Sequence, residues 1–411
     1  MCGILGYKNT TPNEQYVKLR GQDDNNTLEK GGFTFKHFLL SITGEHTLQP
    51  YVKDNIVMLY NGEIYNREFE RSDGEVIIPL YEKLGCRFPR ELDGEFAIAL
   101  FDFGRKHVLF ATDSFGTKPL WINDELEFSS YESGVTNGKK VLPNTTMLFK
   151  LDGTPLTQLH TTMFDFDHQH KTTYDDWITA FKNAVKKRAV PNCFLGLSSG
   201  YDSGGIACEL NNLGVKYSAY TINKGENQTV MTARNNLTPK HEYLTTEPRS
   251  EIISYLATNV ERYKYDIKYD GKETNMTIHD DPASIGLSRI CEEAKKHDQK
   301  VYLSGQGADE VMSDYSPWPM QSSLKGHYPK ELTPWYNFHQ GCQSSYIAKE
   351  EYVAGSHNIE ARYPYLDKAV VQEFLWLTQE LKNNIYKAPL TKYLEREGYP
   401  FAKGEKLGFT T

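Results

Sequence analysis

The chain has no Cys-x-x-Cys pair, no apolar run near the roughly 20 residues of a membrane span, no internal repeat and no low-complexity tract. Its six cysteines, Cys2, Cys86, Cys193, Cys208, Cys291 and Cys342, are scattered. That scatter excludes a disulfide framework and a zinc ribbon, and it suits a reducing, cytoplasmic setting. The first residues, MCGILGYKNTT, carry no basic flank, so no signal peptide is expected, and Asn-x-Thr triplets such as the one at Asn144 read as chance. Positive charge is also short: the net charge is -8, which removes the basic field that nucleic acid requires. Local loops can still bind small anions in an acidic protein.

What is present is an ordinary globular composition, 24% charged and 13% aromatic, over 411 residues. That length suggests two domains. The first part is rich in short β-type runs, Ile56 to Tyr60, Ala97 to Phe101 and His107 to Ala111, with a helical pattern at Leu80 to Leu84. Periodicity fades between Asp152 and Tyr174, where His168 and His170 read as a solvated linker in preference to a metal site. Beyond it, Trp177, Ile178, Phe181, Ala184 and Val185 follow helical spacing, as do Leu287, Ile290, Cys291 and Ala294. Apolar strands at Phe194 to Leu197, Tyr217 to Ile222 and Val301 to Leu303 alternate with these helices and imply a largely parallel sheet. The expected domains are residues 1–155 and 172–411.

Cys2 follows the initiator Met1. With Met1 removed, its α-amine has a reference pKa of about 7.7–8.0 and can take the thiol proton without a histidine. Asn61-Gly62-Glu63-Ile64-Tyr65-Asn66 follows a strand, so an Asn amide and the next backbone N–H can point at one oxyanion. Asp93-Gly94-Glu95 places an acid before another strand, where it can hold a substrate ammonium. Asn-Gly and Asp-Gly are also ordinary hairpin turns. Taken together with Cys2-Gly3-Ile4, Arg20-Gly21-Gln22-Asp23, Gln49-Pro50, SDGEV at Ser72, LDGEFAIALFD at Leu92 and DSFGTKPL at Asp113, these pieces resemble the class II glutamine amidotransferase domain. The resemblance implies an α+β, four-layer αββα fold of the N-terminal-nucleophile type. It implies that Cys2 attacks a glutamine amide, that Asn61 and Gly62 form the oxyanion hole, and that Glu63 and Asp93 hold the glutamine amine. Leu39 stands where the family has an Arg for the glutamine carboxylate, so either another cation, Arg20 or Lys36, takes its place or glutamine binds weakly.

In the second part, LGLSSGYDSGG runs from Leu195 to Gly205 as a strand, a Ser/Gly turn and a helix start. Backbone amides at such a helix N-terminus favour anions, Ser198 and Ser203 add hydroxyls, and Asp202 suits magnesium. SGQGADE, from Ser304 to Glu310, repeats the arrangement after a second strand and adds Asp309. Either loop alone also reads as a tight turn or a helix start. The pair resembles the ATP-pyrophosphatase domain of the asparagine synthetase family, with EARYPYLD at Glu360 and GEKLGF around Lys406 as further matches. The resemblance implies a Rossmann-like parallel-sheet domain and an overall α/β class. It assigns ATP to Leu197, Ser198, Ser199, Gly200, Asp202, Ser203, Ile222, Ser304, Gly305 and Gln306, magnesium to Asp202 and Asp309, and a catalytic role to Lys406. Ser199 and Gln306 depart from the family's Gly and Glu. The expected activity is amide formation from glutamine, ATP and a carboxylate, aspartate first. A sugar acid, a secondary metabolite or a catalytically silent homologue are the alternatives. No nucleic-acid or membrane partner is implied, and a homodimer is compatible with the sequence.

Overall fold

A computed structural model describes all residues except 1, 9, 223–224, 266–267, 270–271, 274–275, 316–323, 325 and 405–411. The chain folds as two compact units. The first comprises Met1–Met163 with two returning segments, Asn259–Glu261 and Gly355–Ile359.

Among the described residues, twelve strands build the first unit: β1 (Gly3–Tyr7), β2 (Asp24–Lys30), β3 (Phe33–Leu39), β4 (Tyr51–Lys53), β5 (Ile56–Ile64), β6 (Gly94–Asp102), β7 (His107–Thr112), β8 (Trp121–Ile122), β9 (Phe128–Ser129), β10 (Lys139–Lys140), β11 (Thr145–Lys150) and β12 (Pro155–His160). They form two six-stranded sheets, ordered β10-β8-β9-β1-β3-β2 and β12-β11-β7-β6-β5-β4. Period-2 alternation explains how the sheets stack. Val57, Leu59, Ala97, Ala99 and Phe101 on β5 and β6 join Ile4, Phe33, Phe35 and Phe128 in a core between the sheets. The opposite face of the same strands, Met58, Tyr60, Ile98 and Leu100, packs on Ile77, Ile78 and Tyr81 of the helix Ile77–Leu84. The strand and helix patterns read from the sequence fall inside these elements.

The second unit is built on a five-stranded sheet of β13 (Cys193–Gly196), β14 (Tyr217–Ile222), β15 (Lys240–Leu244), β18 (Val301–Leu303) and β19 (Glu360–Arg362), ordered β15-β14-β13-β18-β19. The small hairpin β16 (Lys268–Tyr269) and β17 (Lys272–Glu273) lies apart from it. Every neighbour pair in the large sheet is parallel. β13 and β14 are largely buried and apolar, as strands covered on both faces must be, whereas the edge strand β15 is polar and buries only Leu244. From β13 the chain runs outward through the helix Tyr201–Asn212 to β14 and β15, then returns to the other side of β13 as β18. That reversal puts a topological switch point between β13 and β18, beside the carboxyl ends where open α/β sheets bind ligands.

Candidate active sites

In the first unit, the backbone N–H of Cys2 donates to Asn61 Oδ1 at 2.7 Å. Asn61 is fully buried, and its Nδ2 has no hydrogen-bond partner among the described residues. A buried amide donor left open beside a thiol residue is the polar atom that an incoming oxyanion would satisfy. Gly62 has φ +148, and a Cβ there would lie 1.9 Å from Glu95 O, so only glycine fits where β5 presses on β6. Cys2, Gly62 and Glu63 line one pocket together with the segment from Leu39 to Thr43. Glu63 accepts from Thr43 Oγ1 at 3.2 Å.

Three expected residues fall elsewhere. Arg20 is fully buried, donates from Nε to Cys2 O at 3.3 Å and from Nη1 to Tyr131 OH at 2.9 Å, and does not line the pocket. These two bonds tie its guanidinium to the Cys2 backbone and to Tyr131. Asp93 also lies outside the lining; its N–H donates to Asn66 Oδ1 and its carbonyl accepts from Tyr65 N–H, as turn groups do. Lys36 points to the opposite face of β3 from Leu39 by strand alternation and pairs with Glu14 at 2.5 Å. Sequence reasoning passed over Asp73, whose Oδ2 accepts from Tyr60 OH and Ile64 N–H, both at 2.7 Å, and which lines the pocket. It also passed over His37, whose Nδ1 accepts from Gln49 N–H at 3.2 Å. Burial pushes the His37 pKa down to about 3, so the ring is neutral.

In the second unit, Leu197 N–H donates to Tyr220 O at 2.8 Å and carries β13 into the Ser/Gly turn. Ser198 Oγ lies 2.9 Å from Ser203 Oγ and accepts from Gly200 N–H at 3.2 Å, so the turn is closed by its own hydroxyls. Arg234 Nη1 donates to the carbonyls of Ser198 and Gly200, bracing the turn from beneath. Gly305 passes the first loop closely: a Cβ on it would lie 2.9 Å from Asp202 Cβ. Ser304 Oγ accepts from Gln306 N–H at 3.0 Å, and Gln306 Nε2 donates to Glu310 Oε1 at 2.7 Å. Ile222 ends β14 in register with Leu244 and is buried.

The two loops converge on a residue the sequence reading missed. Lys387 Nζ lies 2.6 and 2.7 Å from the two carboxylate oxygens of Asp202 and 3.1 Å from Asp309 Oδ1. Lys387 is 3% exposed, the acids about a quarter. Burial works against the Lys387 charge, but Asp202 and Asp309 outweigh it and hold its pKa well above the ordinary lysine value. Tyr386 OH also donates to Asp309 Oδ1, at 3.1 Å. The expected lysine, Lys406, lies outside the described residues. The only local signal for Lys387 was a lone cation in an apolar stretch, IYKAPL.

Two carboxylates that converge on one cation, with serine hydroxyls nearby, form an all-oxygen donor set. Such a set fits magnesium shared with phosphate oxygens. One of the expected anion donors is already engaged: Ser199 N–H and Oγ both donate to Glu226 Oε2, each at 2.6 Å, and Asn227 N–H donates to Ser199 Oγ at 3.0 Å.

Residues 1–185 match the glutamine amidotransferase domain family, and residues 177–350 match the asparagine synthase family. An asparagine synthetase [glutamine-hydrolyzing] of Gallus gallus is 27% identical over 411 residues, covering 83% of this chain and 68% of its own. Putative asparagine synthetase [glutamine-hydrolyzing] 1 of Methanocaldococcus jannaschii is 25% identical, covering 86% and 70%, and asparagine synthetase B [glutamine-hydrolyzing] of Escherichia coli is 24% identical, covering 90% and 74%. With an amidotransferase domain followed by an asparagine synthase domain in one polypeptide, the chain belongs to the asparagine synthetase family of glutamine-dependent amidotransferases.

Proposed function

We propose that the protein forms an amide from a carboxylate, with aspartate as acceptor and asparagine as product, using ATP and ammonia released from a γ-amide. The observation that carries this reading is the convergence of Asp202, Asp309 and Lys387 at the switch point of the parallel sheet. In the first unit, the Cys2 amine, freed of Met1, takes the thiol proton while Sγ attacks the amide carbon. Asn61 Nδ2 and the Gly62 backbone stabilise the oxyanion. Ammonia leaves, and water cleaves the thioester.

In the second unit, the acceptor carboxylate attacks the ATP α-phosphorus, pyrophosphate departs, and ammonia displaces AMP from the acyl-adenylate. Ser198, Ser203 and the backbone of Gly200 and Gly305 cradle the phosphates, and Ser199 contributes only where Glu226 yields its N–H. Asp202 and Asp309 would hold magnesium, which would supply charge neutralisation for the phosphate oxygens. Lys387 adds a fixed cation beside the leaving pyrophosphate, and Lys406 is assigned to the acyl transition state by resemblance alone. The cytoplasm, where ATP and glutamine are supplied, suits this chemistry.

Gln306 favours a second reading. Its amide is tied to Glu310, so the group nearest the reacting acyl position differs from the family's Glu, and another carboxylate acid becomes the acceptor. Pyrophosphate release measured across a panel of carboxylates with ATP, magnesium and ammonium tests both. Release with aspartate and amide formation by mass supports the first; release only with another acid supports the second. Release with none overturns the synthetase reading.

A further inference from the structure

Among the described residues, the side chains lining the pocket at Cys2 include acids and no cation, and the base there is the Cys2 amine itself. Glu63 and Asp73 line it and are 8% exposed, and Glu45 stands at its exposed rim. Among the described residues lining it there is no lysine or arginine. The cations nearby in sequence or space are committed elsewhere. Arg20 holds the Cys2 carbonyl and Tyr131. Lys36 pairs with Glu14 on the other face of β3. Arg71, whose carbonyl accepts from Glu45 N–H, places its guanidinium on Glu75 at 2.7 Å. His37 behind Gln49 is neutral. The position on β3 that faces the thiol is apolar Leu39, 6% exposed and part of the lining.

Free glutamine brings three groups: a γ-amide, an α-ammonium and an α-carboxylate. The pocket answers the first two. Asn61 does not itself line the pocket, but it is bonded to the Cys2 backbone and sits between the lining residues Tyr60 and Gly62, and its buried Nδ2, without a partner among the described residues, fits the amide oxygen as it becomes an oxyanion; Glu63 and Asp73 suit the ammonium. A carboxylate entering the same space meets like charge and a leucine, and it loses its hydration without a cation in return.

We propose that the Cys2 pocket selects a glutamine whose α-amine is free and whose α-carboxyl is masked as an amide, as in an N-terminal glutamine residue of a peptide, over free glutamine. The proposal rests on the reading of Cys2 as the amide-cleaving thiol. The chemistry is unchanged: a C–S bond forms, the C–N bond breaks, the thiol proton leaves on ammonia, and water returns the thiol and a γ-carboxylate. Leu39 then packs against the neutral α-carbonyl end of the substrate.

The test uses the full chain and two probes, L-glutamine and L-glutamine α-(N-methyl)amide, with ammonia release and the product mass followed and Cys2→Ala as the blank. The expected result is a kcat/KM about tenfold or more higher for the methylamide, the size of one charge-assisted hydrogen bond withheld from the carboxylate. Leu39→Arg should swing the preference back toward free glutamine. A wild-type kcat/KM for free glutamine that equals or exceeds that of the methylamide overturns the proposal and leaves the thiol reading standing. Release from neither probe, or equal release by Cys2→Ala, overturns the thiol reading and the proposal with it.

Discussion

Removing the Lys387 ammonium leaves Asp202 and Asp309 without the cation they share. Breaking a buried pair by deleting one partner costs about 3–5 kcal/mol, and the acids' partial exposure places this site at the lower end. Lys387→Met should therefore lower the melting temperature and, independently, cut pyrophosphate release about a hundredfold or more, the usual loss for a preorganised electrostatic donor. Melting and pyrophosphate release on the same sample separate the two, since a purely structural lysine would leave turnover near normal below the melting point. His37 makes a pH prediction at the same scale. Its pKa is about 3 in the fold against 6.5 in the unfolded chain. The unfolded state thus binds a proton that the native state refuses, and stability is complete above pH ~6.5 and falls by about 1.4 kcal/mol per unit as pH drops toward 3. His37→Gln, which keeps an acceptor for Gln49 N–H, should flatten that slope in melts taken between pH 7 and 4.

At the scale of elements, the turn after β13 is held by groups the sequence scatters widely: Arg234 from the helix Gln228–Asn235, and Glu226 just ahead of it. Glu226 presents a carboxylate where a phosphate oxygen would accept from Ser199 N–H. At ~5 Å and an effective dielectric of ~20, two like charges repel by about 3 kcal/mol, an upper bound here because solvent reaches the loop. Glu226→Gln keeps an acceptor for Ser199 and removes the charge, so the Kd for ATP should fall severalfold by calorimetry; a rise would show that the tie to Ser199 builds the loop in its binding form. The elements themselves were readable. β14 and β18 stand where the apolar runs Tyr217 to Ile222 and Val301 to Leu303 do, because strands buried on both faces must be apolar throughout. What closes on the turn was not readable, because Lys387 reaches Asp202 across 185 residues, a distance no local pattern encodes. That Arg20 and Asp93 lie outside the pocket lining was unreadable for a related reason: a charge in a loop motif does not reveal whether its side chain faces a cavity or the backbone behind it.

Over the whole molecule, the proposed chemistry divides between two units, and each holds its own cluster: Cys2, Asn61, Gly62 and Glu63 in the first, Asp202, Asp309 and Lys387 in the second. The sequence disclosed the first as an ordered series of motifs and the second as two Ser/Gly loops, but only the fold supplied the acidic pocket and the lysine between the loops. The division makes a crossed prediction. Cys2→Ala should abolish amide formation supported by the γ-amide donor and leave formation from ammonium chloride near normal, since the thiol takes no part in carboxylate activation. Asp202→Asn and Asp309→Asn should do the reverse, each losing pyrophosphate release while amide hydrolysis at Cys2 persists. Asn preserves the shape of the loop and still accepts one bond from Lys387, but it withdraws the charge that draws magnesium to the phosphates. If these acids served only their helix starts, the variants would lose ~0.3–1 kcal/mol of stability and keep their turnover. Measuring ammonia release, pyrophosphate release and melting for all three variants gives a table of signs: one activity lost in each variant, and opposite ones in the two units. Loss of both activities in the Cys2 variant, with its melting temperature unchanged, would mean that the second unit depends on the thiol residue itself, and the assignment of two separable chemistries would have to be given up.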